Sequence, residues 1–181
     1  MFVPAAYYLT AEEEKAEYDL HDNQVSDEGY QRFLNRLWQP LSECLPQPSD
    51  ILEFGCGPGP ALAKMMEESG MNVSLYDHFY YPDQSVLTEA AFDAVTSTEV
   101  IEHLHKPKQV FEQWLHWLKP KGYLGLMTKL VKDQQAFAGW HYKNDRTHVC
   151  FFSVETFQWL AKRYGLTLQF HGQDVMIFQK A

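Results

Sequence analysis

Residues 51–60, ILEFGCGPGP, limit how this chain can fold more than any other stretch. A short apolar run that breaks off into glycines is typical of a buried strand followed by a sharp turn. Gly55, Gly57 and Gly59 let the backbone come close to a ligand, and Pro60 suits the first turn of a helix. The stretch therefore predicts a strand–turn–helix unit with a ligand at the turn.

The remaining pattern alternates between strands and helices. A capping box of Thr10 and Glu13 predicts a helix from Ala11, and apolar spacing predicts a second helix after Ser26 that prolines 40, 46 and 48 close. Further helices are expected at residues 60–69, 107–118 and 153–165. Strands are expected at residues 51–54, 72–76, 92–97 and 123–128, a long loop at 129–147, and a hairpin around 171–173. This order predicts an α/β protein with a doubly wound, mostly parallel sheet and a C-terminal antiparallel hairpin.

Composition narrows the class of protein. With 181 residues, of which 45% are hydrophobic, we expect one compact domain, divided into an N-terminal helical cap at 1–48 and a ligand-binding part at 49–181. No apolar run reaches the roughly 20 residues of a membrane span, and the N-terminus does not resemble a secretory signal. Three scattered cysteines indicate reduced thiols, so we expect a cytoplasmic protein. The net charge of −9 disfavours nucleic acid as a partner.

The glycine spacing differs from the dinucleotide fingerprint GxGxxG, because Pro60 stands where the third glycine should be. This difference argues against a dehydrogenase. Two acids accompany the turn. Glu53 lies inside the apolar strand, where a carboxylate needs a cationic or hydrogen-bonding partner. Asp77 ends the next strand, where an acid can accept hydrogen bonds from both hydroxyls of a ribose.

Four segments together resemble the class I S-adenosylmethionine (SAM)-dependent methyltransferases. They are EFGCGPG at the turn, Asp77, the stretch FDAVTSTEVIEHL, and LKPKGYL. The resemblance covers roughly residues 30–180, and within that class the sequence is similar to ubiquinone-biosynthesis O-methyltransferases and to small uncharacterised methyltransferases. It implies a Rossmann-like fold and SAM as cofactor. Its implied cofactor contacts are Glu53, Gly55, Cys56, Gly57, Gly59, Asp77 and Thr98, with Thr98 acting mainly through its backbone.

One segment departs from the family. Asp93 follows Asp77 by only 16 positions, where the family usually fits a helix, another strand and a segment that contacts adenine. We therefore expect a shortened or missing edge strand after Asp77. Phe79, Tyr80 or the neighbouring backbone then becomes the candidate for contacting adenine.

The stretch TEVIEHLH carries the candidates for chemistry. Glu99, Glu102 and His103 would point together over one helical turn, and His148 lies in a later loop. His103 and His148 are the candidate catalytic bases. The arrangement also resembles the metal ligands of small-RNA 3′-end methyltransferases, which makes all four residues weak candidates for binding Mg²⁺ or Mn²⁺. The prediction from the sequence is nevertheless that no metal is bound.

Aromatic and polar residues near the second helix and in the 129–147 loop could form the wall of an acceptor pocket. Those expected to line it are Tyr30, Trp140, His141, Tyr142 and Asp145. The function predicted from the sequence is SAM-dependent methylation of a small molecule, mainly by aligning acceptor and sulfonium. The alternatives are a metal-dependent RNA 2′-O-methyltransferase and a non-catalytic module that binds SAM or a protein partner.

Overall fold

The structure is a computed structural model that describes residues 1–20 and 27–181. Its centre is a six-stranded sheet in the order β2-β1-β3-β4-β6-β5. The first four strands are parallel, and β6 pairs antiparallel with both β4 and β5. The strands are β1 (Asp50–Phe54), β2 (Asn72–Tyr76), β3 (Phe92–Thr98), β4 (Leu118–Met127), β5 (Thr167–His171) and β6 (Val175–Gln179). The mostly parallel sheet with its C-terminal antiparallel pair confirms the predicted fold class.

Helices cover both faces of this sheet. Helices α2 and α3 pack on one face through buried residues such as Leu37 and Met66, and α4 and α6 pack on the other through Trp114 and Phe157. Burial on both faces explains why the middle of the central strands is apolar, as at Leu52 of β1 and Val95 of β3, both fully buried. The helices are α1 (Ala11–Tyr18), α2 (Glu28–Ser42), α3 (Ala61–Glu68), α4 (Pro107–Trp117), α5 (Gln134–Gly139) and α6 (Val154–Tyr164).

Local signals account for several helix ends. The capping box is present, with the Thr10 side chain accepting from the Glu13 backbone and the Glu13 side chain accepting from the Thr10 backbone. Helix α6 ends at Gly165, which adopts the left-handed conformation with φ of +66°. Both ends confirm expectations drawn from the sequence. Helix α2 begins at Glu28, and the side chain of its N-cap Asp27 accepts from the backbone N–H groups of Gly29 and Tyr30, which agrees with the helix expected after Ser26.

The expected loss of an edge strand is confirmed within residues 27–181. Strand β2 is the parallel edge of the sheet. After it, the chain makes a single antiparallel bridge between Asp77 and Tyr81 and one 3₁₀ turn at Gln84–Val86 before entering β3. The segment therefore runs directly along the end of the sheet and does not add a strand to it.

Two boundaries differ from the predicted ones. Pro40 lies inside α2 and does not close it, because the packing of Leu37 and Leu41 on the sheet holds the last turn despite the lost hydrogen bond, and the helix ends at Ser42. Strand β4 begins at Leu118, five residues before the predicted start. Its pairing with β3 jumps from Leu118 to Tyr123, which leaves the intervening residues as a bulge.

The predicted loop at 129–147 contains regular structure. Helix α5 is capped by Asp133, whose side chain accepts from the backbone N–H of Ala136, and a 3₁₀ turn follows at His141–Asn144. None of the helices in residues 1–20 and 27–181 has the length and apolar character needed to cross a lipid bilayer. The division of the chain at residues 48 and 49 stays a prediction, although α2 packs directly on the sheet.

Candidate active site

A cleft of about 1040 Å³ lies at the carboxyl ends of the parallel strands. Open α/β sheets bind their ligands at this edge, because the strand order reverses there and leaves a crevice. Here the reversal falls between β1 and β3, whose partners on either side are β2 and β4. The cleft is lined by the turn after β1, the ends of β2 and β3, helix α1, the start of α2 and the segment before α6.

The glycine turn after β1 requires two of its glycines for different reasons. Gly55 has φ of +78°, and a Cβ there would stand 2.4 Å from a Val100 methyl carbon. Gly57 has φ of +63°, yet a Cβ there would meet no atom within 4 Å. Gly55 is therefore needed for close packing, whereas Gly57 leaves an open space where the turn faces the cleft.

Asp77 ties this turn to the segment after β2. Its Oδ2 accepts from the backbone N–H of Gly57 at 2.9 Å. Its Oδ1 accepts from the backbone N–H groups of Phe79 and Tyr80 at 2.8 and 3.1 Å. Asp77 is buried and lines the cleft. The carboxylate thus organises two sides of the cleft before any ligand contacts it.

Glu53 is a buried acid with an unsatisfied oxygen. It is only 4% exposed, it lines the cleft, and its Oε2 has no hydrogen-bond partner. Burial, with a smaller contribution from the neighbouring Asp77, raises the pKa of Glu53 to about 8. A buried carboxylate in this state favours a cationic ligand group, which would supply the missing partner.

Aromatic rings line the side of the cleft beyond Asp77. The ring of Phe79 lies 5.8 Å from that of Tyr18, and Phe79 and Tyr80 both line the cleft. The Tyr80 hydroxyl donates to Asp19 at 2.6 Å, which holds the end of α1 against this segment. Flat rings at this place suit an aromatic ligand base, as expected for adenine.

A second group of polar side chains lies beyond β3, and we call Glu99, Glu102, His103, Tyr142 and His148 the acid–imidazole cluster. Glu102 is 1% exposed, and its Oε2 has no hydrogen-bond partner. The Tyr142 hydroxyl donates to Glu102 Oε1 and also lies 3.2 Å from Glu99 Oε2. One phenolic O–H group therefore lies between two acidic side chains. Each of these two glutamates keeps one oxygen without a hydrogen-bond partner.

Glu99 is held in a strained backbone conformation. Its φ is +52°, which a residue with a side chain adopts rarely, and its backbone N–H donates to Met127 O at 2.8 Å. Its Oε1 is buried without a hydrogen-bond partner. Strain of this kind concentrates at functional sites, where the surrounding structure holds a side chain in place.

The two histidines of the cluster are oriented by backbone carbonyls. His148 Nδ1 lies 2.7 Å from Tyr142 O, and His103 Nδ1 lies 3.3 Å from Thr147 O. A carbonyl oxygen only accepts, so Nδ1 carries the proton in both rings and Nε2 is the basic nitrogen of each neutral imidazole. The two rings lie 4.6 Å apart. Such orientation suits a general base and a metal ligand equally.

Burial controls the protonation of this cluster. It raises the pKa of Glu99 to about 8, with a further contribution from Glu102, and it raises the pKa of Glu102 as well. Burial lowers the pKa of His148, which keeps that ring neutral. The pKa of Tyr30, which also lines the cleft, rises to about 12 through burial and the nearby Glu53 and Glu99.

The structure brings most of the predicted site residues together. The residues that line the cleft include Glu53, Gly55, Cys56, Gly57, Asp77, Thr98, Glu99, His103 and His148 from the glycine-turn and TEVIEHLH motifs, and Tyr30, His141, Tyr142 and Asp145 from the expected acceptor pocket. Gly59 and Trp140 are not among them. The Trp140 ring packs 4.9 Å from that of Tyr142 and therefore supports a lining residue from behind.

Several other lining residues carry no local signal that predicts their position in the cleft. Helix α1 contributes Glu14 and Tyr18, and His105 contacts Glu14 at 2.9 Å from across the cleft. The Tyr18 ring meets that of His103 edge-on at 5.4 Å. The capping box predicted that α1 forms, but no local pattern indicates where a short polar helix docks.

Three ligand atoms in the cluster are close enough to share a cation. Those of Glu102, His103 and His148 lie within 4.8 Å of one another. The donor set of one carboxylate and two imidazoles is compatible with several divalent metals. The spacing of these three ligand atoms suits either a bound metal ion or proton transfer between the side chains.

Comparison with known proteins identifies the family. Residues 22–169 match the methyltransferase domain family. No curated protein matches the chain. Among solved structures, the chain resembles the Burkholderia thailandensis 1,6-didemethyltoxoflavin N1-methyltransferase, which was crystallised with its acceptor and S-adenosylhomocysteine. The TM-score is 0.65 and the identity 18%, over 99% of this chain and 94% of that one.

Two further structures share the fold. A Thermotoga maritima SAM-dependent methyltransferase gives a TM-score of 0.53 at 16% identity, over 94% of this chain and 96% of that one. A Haemonchus contortus phosphoethanolamine N-methyltransferase gives 0.57 at 15% identity, over 76% of this chain and 38% of that one. With the glycine turn, the acid after β2 and the match over residues 22–169, the chain belongs to the methyltransferase domain family and is a class I SAM-dependent methyltransferase.

Proposed function

We propose that this methyltransferase acts on a small molecule that enters the cleft beside SAM. The observation that carries the proposal is one large cleft with two groups of lining residues. One group surrounds the glycine turn and Asp77, and the other lies beyond β3. Its volume of about 1040 Å³ is at the upper end of ordinary ligand sites, which supports room for a cofactor and a small acceptor together. A neighbour of the same fold carries the acceptor 1,6-didemethyltoxoflavin in its crystal structure, which supports a small acceptor here.

In this proposal the residues around β1 and β2 hold the cofactor. The unsatisfied Oε2 of Glu53 would accept from the cofactor's ammonium group, and the open space at Gly57 would admit its methionine part. The carboxylate of Asp77 would accept from the ribose hydroxyls with its remaining lone pairs. Thr98 would contribute through its backbone, and Phe79 or Tyr80 would cover the adenine.

The residues beyond β3 would then receive the acceptor. When bound, SAM supplies an electrophilic methyl group on a positively charged sulfur. The chain's part is to align the acceptor with that methyl group and to take up a proton where the acceptor must lose one. His103 is the proposed base, because it lines the cleft and its ring is oriented by Thr147 O, which lies 3.3 Å from Nδ1.

Calorimetric titration with S-adenosylhomocysteine tests the cofactor part, and methyl transfer from radiolabelled SAM across a panel of small acceptors tests the rest. Micromolar binding with labelled product would support the proposal. Binding without product from any small acceptor would favour the non-catalytic module, and no binding by well-folded protein would remove the cofactor site. The similarity to ubiquinone-biosynthesis O-methyltransferases is tested in the same panel by hydroxylated aromatic acceptors.

A metal-dependent RNA 2′-O-methyltransferase is the second candidate, favoured by one observation. The ligand atoms of Glu102, His103 and His148 lie within 4.8 Å of one another. Against it, the net charge is −9, and the described residues lining the cleft include no lysine or arginine to bind a phosphate backbone. Labelled transfer to RNA oligonucleotides that requires Mn²⁺ or Mg²⁺ would establish this candidate.

A further inference from the structure

Acidic side chains outnumber permanently cationic ones on the cleft wall, and this limits the acceptor. Five carboxylates line the cleft, while none of its lining residues in 1–20 and 27–181 is a lysine or an arginine. The carboxylates are Glu14, Glu53, Asp77, Glu99 and Asp145. An acceptor that carries a carboxylate or phosphate would meet repulsion here without a cation to pair with it.

The sheet topology places these acids on two sides of the cleft, and each side would bind one of the two ligands. Asp77 ends β2 and Glu53 lies on β1, so both belong to the side of the sheet that the glycine turn occupies. Glu99 follows β3, and Tyr142 follows β4, on the other side of the reversal point. With the cofactor against β1 and β2, as the proposed function has it, the acid–imidazole cluster faces the acceptor.

The two glutamates of the cluster keep unpaired oxygens. Glu102 Oε2 and Glu99 Oε1 are both buried without a hydrogen-bond partner, and Glu102 is only 1% exposed. The ammonium group of Lys129 lies over the Tyr142 ring at 4.9 Å from its centroid and its charge acts on Glu99, but it does not line the cleft. Buried carboxylates in this condition are stabilised by a cation that brings its own N–H donors.

Aromatic rings complete a site for an ammonium group. Tyr18, Tyr30 and Tyr142 line the cleft close to these acids. The Tyr142 hydroxyl lies 3.2 Å from Glu99 Oε2, and after burial and Glu53 the charge of Glu99 also contributes to the raised pKa of Tyr30. Faces of aromatic rings attract cations, and a carboxylate among tyrosines is a common arrangement for binding amines.

We infer that the methyl acceptor is an amine, bound as its ammonium ion by Glu99 among these tyrosines. This inference rests on the proposed function. For reaction, the ammonium group gives one proton to the base, and the freed nitrogen lone pair forms a bond to the methyl carbon. The carbon–sulfur bond breaks with its electron pair going to sulfur, so the product is a methylated ammonium ion beside neutral S-adenosylhomocysteine.

The test compares three probes of similar shape and different charge. Protein loaded with S-adenosylhomocysteine is titrated calorimetrically with 2-phenylethylamine, 2-phenylethanol and 3-phenylpropanoate, and a set of larger arylalkyl amines with their matched alcohols and acids extends the series. We expect the amines to bind at least tenfold more tightly than the matched alcohols and acids. Labelled SAM should then methylate the amines that bind.

The variant Glu99→Gln should weaken amine binding tenfold or more while changing the affinity for S-adenosylhomocysteine less than twofold. Its control is Glu89→Gln, an exposed glutamate near His116 outside the cleft, which should change neither affinity. If Glu99→Gln does not fold, the comparison of matched amines, alcohols and acids on the natural protein still tests whether the acceptor site prefers a cation.

Four results would overturn the inference. Acids or alcohols that bind as well as the amines would remove the charge preference, and an amine series that does not bind to the loaded protein would remove the amine site. Amine binding or turnover that needs Mn²⁺ and is abolished by a chelator would assign the cluster to a metal. Failure to bind S-adenosylhomocysteine would be a different result, because it removes the proposed function itself and this inference with it.

Discussion

The Asp77 side chain accepts a hydrogen bond from the backbone N–H of Gly57 at 2.9 Å, so the end of β2 holds the turn that follows β1. The other carboxylate oxygen accepts from Phe79 and Tyr80, which fixes the start of the shortened segment. One acid therefore joins the two parts of the chain that would enclose the cofactor. Its removal should affect binding more than it affects stability.

We expect Asp77→Ala to weaken S-adenosylhomocysteine binding by about 1–3 kcal/mol, through lost ribose contacts and a less ordered turn. The control is Asp93→Ala, because Asp93 also accepts from a backbone N–H, that of Asp50, at 2.9 Å, but it does not line the cleft. Calorimetry gives the affinities, and urea unfolding gives the stabilities. Equal affinity loss in both variants would mean that Asp77 acts only through the fold.

Gly57 and Gly172 form a matched pair for testing the glycine turn. Their φ angles are +63° and +64°, and a Cβ on either would meet no atom within 4 Å. Alanine at each should lower the free energy of unfolding by a similar amount, about 1–2 kcal/mol, from backbone strain alone. Only Gly57→Ala should also weaken S-adenosylhomocysteine binding, because Gly172 lies in the β5–β6 hairpin. Identical affinities in the two variants would place the cofactor elsewhere.

The pH dependence of stability should report on Glu53. Burial raises its pKa to about 8 in the folded protein, above the ordinary glutamate value of 4.5. The folded state thus holds a proton that the unfolded chain releases between those values, so the free energy of unfolding falls as pH rises through that window. We expect Glu53→Gln to flatten this fall, as measured by urea unfolding at intervals from pH 5 to pH 8.5.

The exposed glutamate variant Glu89→Gln serves as the control for that series and should follow the natural protein. The same linkage predicts that S-adenosylhomocysteine binds more tightly as pH rises toward 8, since its ammonium group favours the charged form of Glu53. Parallel pH curves for the natural protein and Glu53→Gln would contradict the assignment of this proton to Glu53.

His103→Ala should slow methyl transfer about 100-fold while leaving S-adenosylhomocysteine binding nearly unchanged, because a positioned base commonly contributes 10²-fold or more. His116→Ala is its control, since His116 is exposed and does not line the cleft. Single-turnover rates with labelled SAM and the best acceptor separate the chemical step from binding. A fully active His103→Ala would leave His148 or solvent as the proton acceptor.

The contribution of α2 to the core can be measured with two leucines. Leu37 on α2 is fully buried, whereas Leu20 is 77% exposed. Leu37→Ala should lower the free energy of unfolding by about 2–5 kcal/mol, and Leu20→Ala should change it by less than about 0.5 kcal/mol. Equally small effects in urea unfolding would show that α2 is a peripheral cap, as a domain boundary at residues 48 and 49 implies.

Much of the fold could be predicted because its signals are local. The glycines after residues 51–54, the capping box at Thr10 and Gly165 at the end of α6 each act within a few residues of the structure they form. The 16 positions from Asp77 to Asp93 left no length for another strand, and β2 is accordingly the edge of the sheet. These features follow from backbone geometry and chain length alone.

The errors arose at two places, for different reasons. Proline is a strong helix breaker, yet Pro40 lies within α2 because the packing of the helix against the sheet holds its last turn. The residues from 129 to 147 look polar and irregular, yet Asp133 caps a helix there. The first outcome depends on packing that the local pattern does not contain, whereas the second rests on a local cap, from Asp133 to the backbone N–H of Ala136, that the polar composition of the segment obscured.

The sequence by itself determined the sheet, the glycine turn and the acid after β2, because hydrophobic periodicity, glycine conformation and spacing are properties of adjacent residues. Only the tertiary structure decided that Tyr142 would share its proton between Glu99 and Glu102, 40 and more positions away. It also decided that Glu102 would be buried without a cation and that α1 would close over the cleft. Burial and charge compensation depend on which elements meet in space, and those determine the chemistry of this site.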